Sequence, residues 1–172
     1  LFEPAEYELL LERLIALKAS LPIYLRLTCG PQFARAARQK KIPRADKVSG
    51  CLAATEFVFI SRTGDVQTCG FLEQSAGNLI AEDFNFGRIW ETSPFLCGLR
   101  VPANYLGACG DCAYLQVCRG CRARALAVGG NIFAEDPVCR LTRRMGFSPS
   151  QQIASPFQQA VLSAVQDPLP IC

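Results

Sequence analysis

Five cysteines crowd the stretch "CGDCAYLQVCRGCRARALAVGGNIFAEDPVC", which runs from Cys109 to Cys139. They fall as Cys109-x2-Cys112-x5-Cys118-x2-Cys121-x17-Cys139, and Cys51 and Cys69 precede them. The chain has no histidine, so no imidazole can share a metal with these thiols. Three uses of the array compete. Disulfides suit secreted proteins, but ten cysteines in 172 residues is below the density of disulfide scaffolds, and the two-residue gaps are a spacing that metals favour. Structural zinc would take four thiols in a tetrahedron. Its usual knuckles stand further apart than the x5 gap between Cys112 and Cys118, and three array thiols would be left over. Iron–sulfur clusters use thiols at x2 gaps with a last ligand from further along the chain. Seven array thiols could supply two neighbouring clusters.

Charge adds to the last reading. The net charge is +3, and from Arg119 to Arg144 six arginines (119, 122, 124, 140, 143 and 144) stand against two acids, Glu135 and Asp136. A solvated basic face, or a nucleic-acid patch, is the plain reading of such an excess. A thiolate-ligated centre is negatively charged, and cations beside it offset that charge. The bulk composition, 50% hydrophobic and 19% charged, is ordinary for a globular protein. A chain of this length buries roughly two-thirds of its surface and needs no covalent staples. Its apolar runs are short and broken by charges, so a membrane span is not expected, nor is a secretory signal visible. Reduced thiols in a cytoplasm follow. The chain opens on Leu1, almost inside a helix, which suggests a piece of something longer.

The elements that must position the thiols are readable in part. "PAEYELLLERLIALKASLP" has a proline for the first helical turn, early acids and apolar residues at helical spacing, so it predicts an amphipathic helix. Residues 22–30, "PIYLRLTCG", alternate like a strand. A helix packed on the strand that follows it is what the end of an α/β barrel looks like. "QFARAARQKKIPRADK" predicts a short helix and a basic linker. "EFVFISRTGDVQTCGFL" predicts a hairpin, with Gly64 free to turn. Helices are expected over 84–90 and from Ser93-Pro94 through Arg100. A further helix is expected through "YLQVCRGCRARALAV", ended by Gly129-Gly130. The fold class is α+β: the end of a partial (β/α) barrel, then a small domain with a hairpin and short helices around the cysteines. The divisions are 1–45 for the barrel remnant and linker, 46–145 for the cysteine-rich domain and 146–172 for a loosely ordered tail.

The motifs "RTGDVQTCGFL", "GRIWETSPFLCGLR", "CGDCAYLQVCRGCRARALA" and "AEDPVC" resemble the SPASM domain that follows the barrel of many radical SAM enzymes. The x2 gap between Cys118 and Cys121, "CRARA" after it and "EDPVC" make the chain most similar to the haem-biosynthesis branch. That branch remodels tetrapyrroles toward the haem of nitrite reductases or toward haem b. The likeness covers about residues 5–143, and "LRLTCGPQFARAARQ" resembles the segment that closes the barrel in the same branch.

The resemblance implies one or two auxiliary 4Fe–4S clusters. Cys109, Cys112, Cys118 and Cys139 match the ligands of the distal one, and Cys51, Cys69 and Cys121 match ligands of the proximal one. Cys29 is read three ways: a core thiol, the proximal cluster's further ligand, or a substrate contact. Arg35, Arg122 and Arg124 are candidate contacts for substrate or for cluster charge, with a surface salt bridge or solvated helix face as the plainer alternative. Cys97, on the apolar side of "SPFLCGLR", is read as a small core residue and Cys172 as incidental.

The C-x3-C-x2-C loop that holds the cluster binding S-adenosylmethionine is absent from this sequence, so no catalysis by this chain alone is expected. The resemblance instead implies an auxiliary region of a radical SAM enzyme that removes propionate side chains in haem or modified-tetrapyrrole biosynthesis. It would aid substrate binding or electron transfer. Its implied partners are a tetrapyrrole, met together with the barrel, and an electron donor or acceptor protein. No nucleic acid or membrane partner is expected. A peptide-modifying radical SAM maturase is the alternative within the superfamily, and a non-catalytic zinc or interaction module the alternative outside it.

Overall fold

Pro4 opens the first helix of the computed structural model, α1 (Pro4–Ser20), where its missing N–H costs nothing. Glu6 reaches back to accept the Glu3 N–H at 3.2 Å. One stripe of α1 is buried: Tyr7, Leu11 and Ile15. The described residues are 1–144 apart from Tyr24 and Arg26. The expected tail, 146–172, and Cys172 lie outside them. Two compact units emerge, one of residues 1–51 together with 105–144, the other of residues 52–104.

The first unit is helical. Tyr7, Leu11 and Ile15 pack with Phe33 and Ala36 of α2 (Gln32–Gln39) and with Val138, and Leu27, Ile42 and Val48 close over this core. Ile132 and Phe133 are fully buried, with the Phe133 ring edge-on to Tyr105. Around them stand four short helices: α5 (Gly107–Gly110), α6 (Leu115–Cys118), α7 (Arg122–Gly129) and α8 (Arg140–Arg144). The outer face of α1 leaves Leu9 and Leu17 exposed, as is Ile23 beyond it.

Two expectations need correction here. Among the described residues of 22–30 no strand forms; the chain turns at Thr28–Cys29, with Cys29 left-handed at φ 59°. Alternation makes a strand only if neighbouring backbone can pair with it. Every strand among the described residues lies between Phe59 and Asn78, in the other unit. No barrel is detectable among these residues. The second correction concerns the helix drawn through residues 114–128. It is broken into α6 and α7, because Arg119 (φ 61°) and Gly120 (φ 58°) are both left-handed. Two such residues in succession reverse the chain, and this separates Cys118 from Cys121.

The second unit holds a three-stranded antiparallel sheet, β1 (Phe59–Ile60), β2 (Asp65–Gln67) and β3 (Ser75–Asn78), in that order. The hairpin turns at Gly64 (φ 86°), as its sequence predicts. Asn85 caps α3 (Phe86–Thr92) by accepting the Arg88 N–H at 3.0 Å. Pro94 opens α4 (Pro94–Arg100). Val66, Leu96 and Leu99 form its dry interior, and Ile89 packs against Gly77, where a Cβ would come within 3.1 Å. Arg100 stacks over Trp90 at 4.2 Å from the ring centroid. The fold is thus α+β. No helix among the described residues is long and apolar enough to cross a membrane.

Candidate metal centre

Four of the seven array thiols line one pocket in the first unit: Cys109, Cys112, Cys118 and Cys139. Cys109 sits on α5, Cys112 two residues past its end, Cys118 closes α6, and Cys139 precedes α8. Short helices separated by tight turns let thiols close in sequence line one space. Gly50 lies against the end of α6. Its N–H donates to the Val117 carbonyl at 2.9 Å, and the Cys51 N–H donates to that of Cys118 at 3.1 Å. A Cβ at position 50 would lie 2.4 Å from both carbonyl oxygens, so only glycine allows this approach.

Each of the four sulfurs meets a backbone donor. The Tyr114 N–H points at Cys112 Sγ at 3.4 Å. The N–H groups of Asp136, Gly120 and Leu141 serve Cys109, Cys118 and Cys139 in turn. Burial dominates the acidity of Cys109, Cys118 and Cys139. It pushes the Cys118 thiol up to about 12 and that of Cys139 up to about 11, against the pull of the amide bonds. Cys109 is raised for the same reason, with Arg122 opposing. Cys118 and Cys139 are buried, whereas Cys109 and Cys112 are half-buried. Buried thiols are poor thiolates alone, and gain their charge when a cation replaces the proton.

Arginines surround this pocket. Arg122 is buried; its Nη1 donates to the carbonyls of Ile132 (2.9 Å) and Ala134 (2.7 Å) and its Nη2 to Cys109 Sγ at 3.8 Å. Its guanidinium lies over Tyr105, 4.8 Å from the centroid. Arg35 lines the pocket but is not the surface ion pair that its sequence context suggests. It is only 2% exposed and forks onto both oxygens of Glu8. Burial alone would lower its pKa, yet the Glu8 carboxylate holds it above the ordinary value. The Nε atoms of both Arg35 and Arg122 are buried without a hydrogen-bond partner. Arg124 pairs with Asp136 at 2.8 Å and reaches the Cys29 carbonyl at 3.0 Å.

The remaining candidates stand elsewhere. Cys51 lies against the end of α6 and Cys121 caps α7, both half-buried, and neither lines the pocket. Cys69 is half-buried in the second unit, just after β2. Cys29 is exposed, which removes the core-thiol reading. Asp136 and Gln32 also line the pocket, and the sequence reading missed both roles. Asp136 appears there only as an acid among arginines; the signal that could have found it is its place three residues before the candidate ligand Cys139 in "EDPVC".

Among the described residues no group of His, Cys, Asp or Glu converges tightly enough for a single metal ion. A tetrahedral zinc would draw its thiolates to about 3.8 Å from one another, given Zn–S bonds near 2.3 Å. A cubane with an iron at four corners accepts thiolates spread wider apart, and the donor set of four sulfurs, amide N–H groups and buried guanidinium suits its negative charge.

Known proteins resemble this chain over much of its length. The AdoMet-dependent heme synthase of Nitratidesulfovibrio vulgaris is 38% identical over 146 residues, 78% of this chain and 39% of that protein. The enzyme of the same name from Methanosarcina barkeri is 37% identical over 79% of this chain and 42% of its own length. The mycofactocin maturase MftC of Mycobacterium ulcerans is 34% identical over 52% of this chain and 25% of its own. No family model matches the chain, and no solved structure does. The chain spans about two-fifths of the length of the heme synthases. It belongs to the SPASM-type regions of radical SAM proteins, on the haem branch.

Proposed function

We propose that this chain is the auxiliary-cluster region of a radical SAM enzyme of haem or modified-tetrapyrrole synthesis, with Cys109, Cys112, Cys118 and Cys139 as the ligands of one 4Fe–4S cluster. The observation that carries this reading is the pocket that these four thiols share, each with its own amide donor. Such a cluster supplies a one-electron acceptor or donor, or an iron that helps to hold a substrate. The protein's own part is to gather the four sulfurs around one pocket, with Cys118 and Cys139 buried. Arg122 places one N–H on Cys109 and cannot swing away, because two carbonyls and the Tyr105 ring hold it. Arg35, neutralised by Glu8, fills the side of the pocket toward α1.

In the whole enzyme the reaction would be loss of propionate side chains from a tetrapyrrole, with S-adenosylmethionine bound in the part that contains the barrel. The likeness to heme synthases over 78% and 79% of this chain supports that substrate class above the peptide of the maturases, whose match covers 52%. Residues 1–45 are then the end of that barrel, and an electron-transfer protein is the expected partner. Ligand substitution tests the site. Serine at Cys109, Cys118 or Cys139 is expected to remove the iron of this cluster, about four per chain, whereas Cys29→Ser keeps it. Full iron retention by all three of the first variants would contradict the assignment.

A further inference from the structure

Asp136 is fully buried, and five donors reach its carboxylate. Oδ2 accepts from Gln32 Nε2 at 2.6 Å, the Cys121 N–H at 2.6 Å and Arg124 Nη2 at 2.8 Å. Oδ1 accepts from Arg124 Nε at 3.0 Å and the Val138 N–H at 3.3 Å. A carboxylate offers about four lone-pair sites, so all are engaged and none is left to ligate iron. The donors come from three segments far apart in sequence: α2, the turn into α7, and the loop that carries Cys139. The Asp136 backbone N–H meanwhile donates to Cys109 Sγ. Arg124 extends the connection with Nη1 on the Cys29 carbonyl and Nη2 near Gln32 Oε1 at 3.3 Å.

We propose that Asp136 and Arg124 form a clasp that positions the thiol pocket and sets the electrical level at which its cluster takes up an electron. This rests on the cluster reading above. Both side chains belong to the first unit, and Asp136 lines the pocket itself. Their charges cancel while paired. In a poorly screened interior a single unbalanced charge acts across the whole site. Removing the carboxylate leaves the Arg124 cation, which favours the more negative, reduced cluster. Removing the guanidinium leaves a buried anion, which disfavours it. Asp136 and Arg124 are positioning residues, since neither is a ligand.

The test uses the full chain, reconstituted anaerobically with ferrous iron and sulfide and titrated with dithionite while the reduced-cluster EPR signal is followed. Iron release to a chelator is timed in parallel. Asp136→Asn is expected to move the midpoint potential upward and Arg124→Gln downward. Arg124→Lys keeps the charge and loses the fork, so it should hold the wild-type potential. All three should release iron several-fold faster than wild type. A merely structural role predicts faster release without opposite shifts, and shifts of the same sign, or none, overturn the proposal. If Asp136→Asn yields no folded protein, the Arg124 pair decides: a downward shift in Gln with none in Lys supports the clasp, and any other pattern refutes it. Wild-type chain that holds no iron would refute the cluster reading instead, and this inference with it.

Discussion

At the scale of single residues the chemistry is governed by where sulfur is kept neutral. Cys118 has its ordinary thiol pKa of 9.0 raised to about 12 by burial, and Cys139 is raised to about 11. Below pH 9 both the folded and unfolded forms of the apo chain carry these protons, and stability does not depend on them. Between about 9 and 12 the unfolded chain releases protons that the folded one keeps, so folding stability falls as pH rises through that window. Urea unfolding of reduced apo chain at a series of pH values is expected to show this decline. Cys118→Ala should flatten much of it, and an unchanged slope would contradict the buried-thiol account. Metal loading requires the same protons to leave, so uptake of iron should strengthen toward higher pH.

Among the elements, the arrangement depends on close approaches that one methyl group would spoil. Gly50 brings the segment before Cys51 against the end of α6, where a Cβ would sit 2.4 Å from the Val117 and Cys118 carbonyl oxygens. Gly50→Ala is expected to destabilise the apo chain by about 2 kcal/mol, the usual cost of forcing atoms into a filled space. Denaturant melts measure it, and a variant as stable as wild type would show that this approach is not needed. Several elements were legible because local chemistry decides them. Pro4 with its early acids announces α1, Ser93-Pro94 announces α4, and Gly64 announces the hairpin turn. Other features depend on partners that no window of sequence displays. The alternating run at 22–30 forms no strand among its described residues, since no described strand in the first unit lies beside it to pair. β3 was missed because "SAGN" has no β-branched or aromatic residue, and its pairing with β2 makes it a strand. The break at Arg119–Gly120 was hidden because a left-handed arginine carries no compositional mark.

The whole molecule shows which parts of the site reading the sequence could carry. Spacing singled out the thiols, and the charge excess drew attention to the arginines around them. It did not reveal that Arg35 is neutralised by Glu8 on a helix 27 residues away, or that Asp136 draws in Gln32 from 104 residues away. Those links arise because α1 and α2 share one unit with residues 105–144. The central claim is that this unit houses an iron–sulfur cluster, and the direct measurement is iron and acid-labile sulfide per chain after anaerobic reconstitution, with a visible spectrum. The account predicts about four irons with matching sulfide and a broad absorption near 400 nm, or about eight irons if a second cluster forms. One tightly held zinc per chain, colourless and without sulfide, would contradict it.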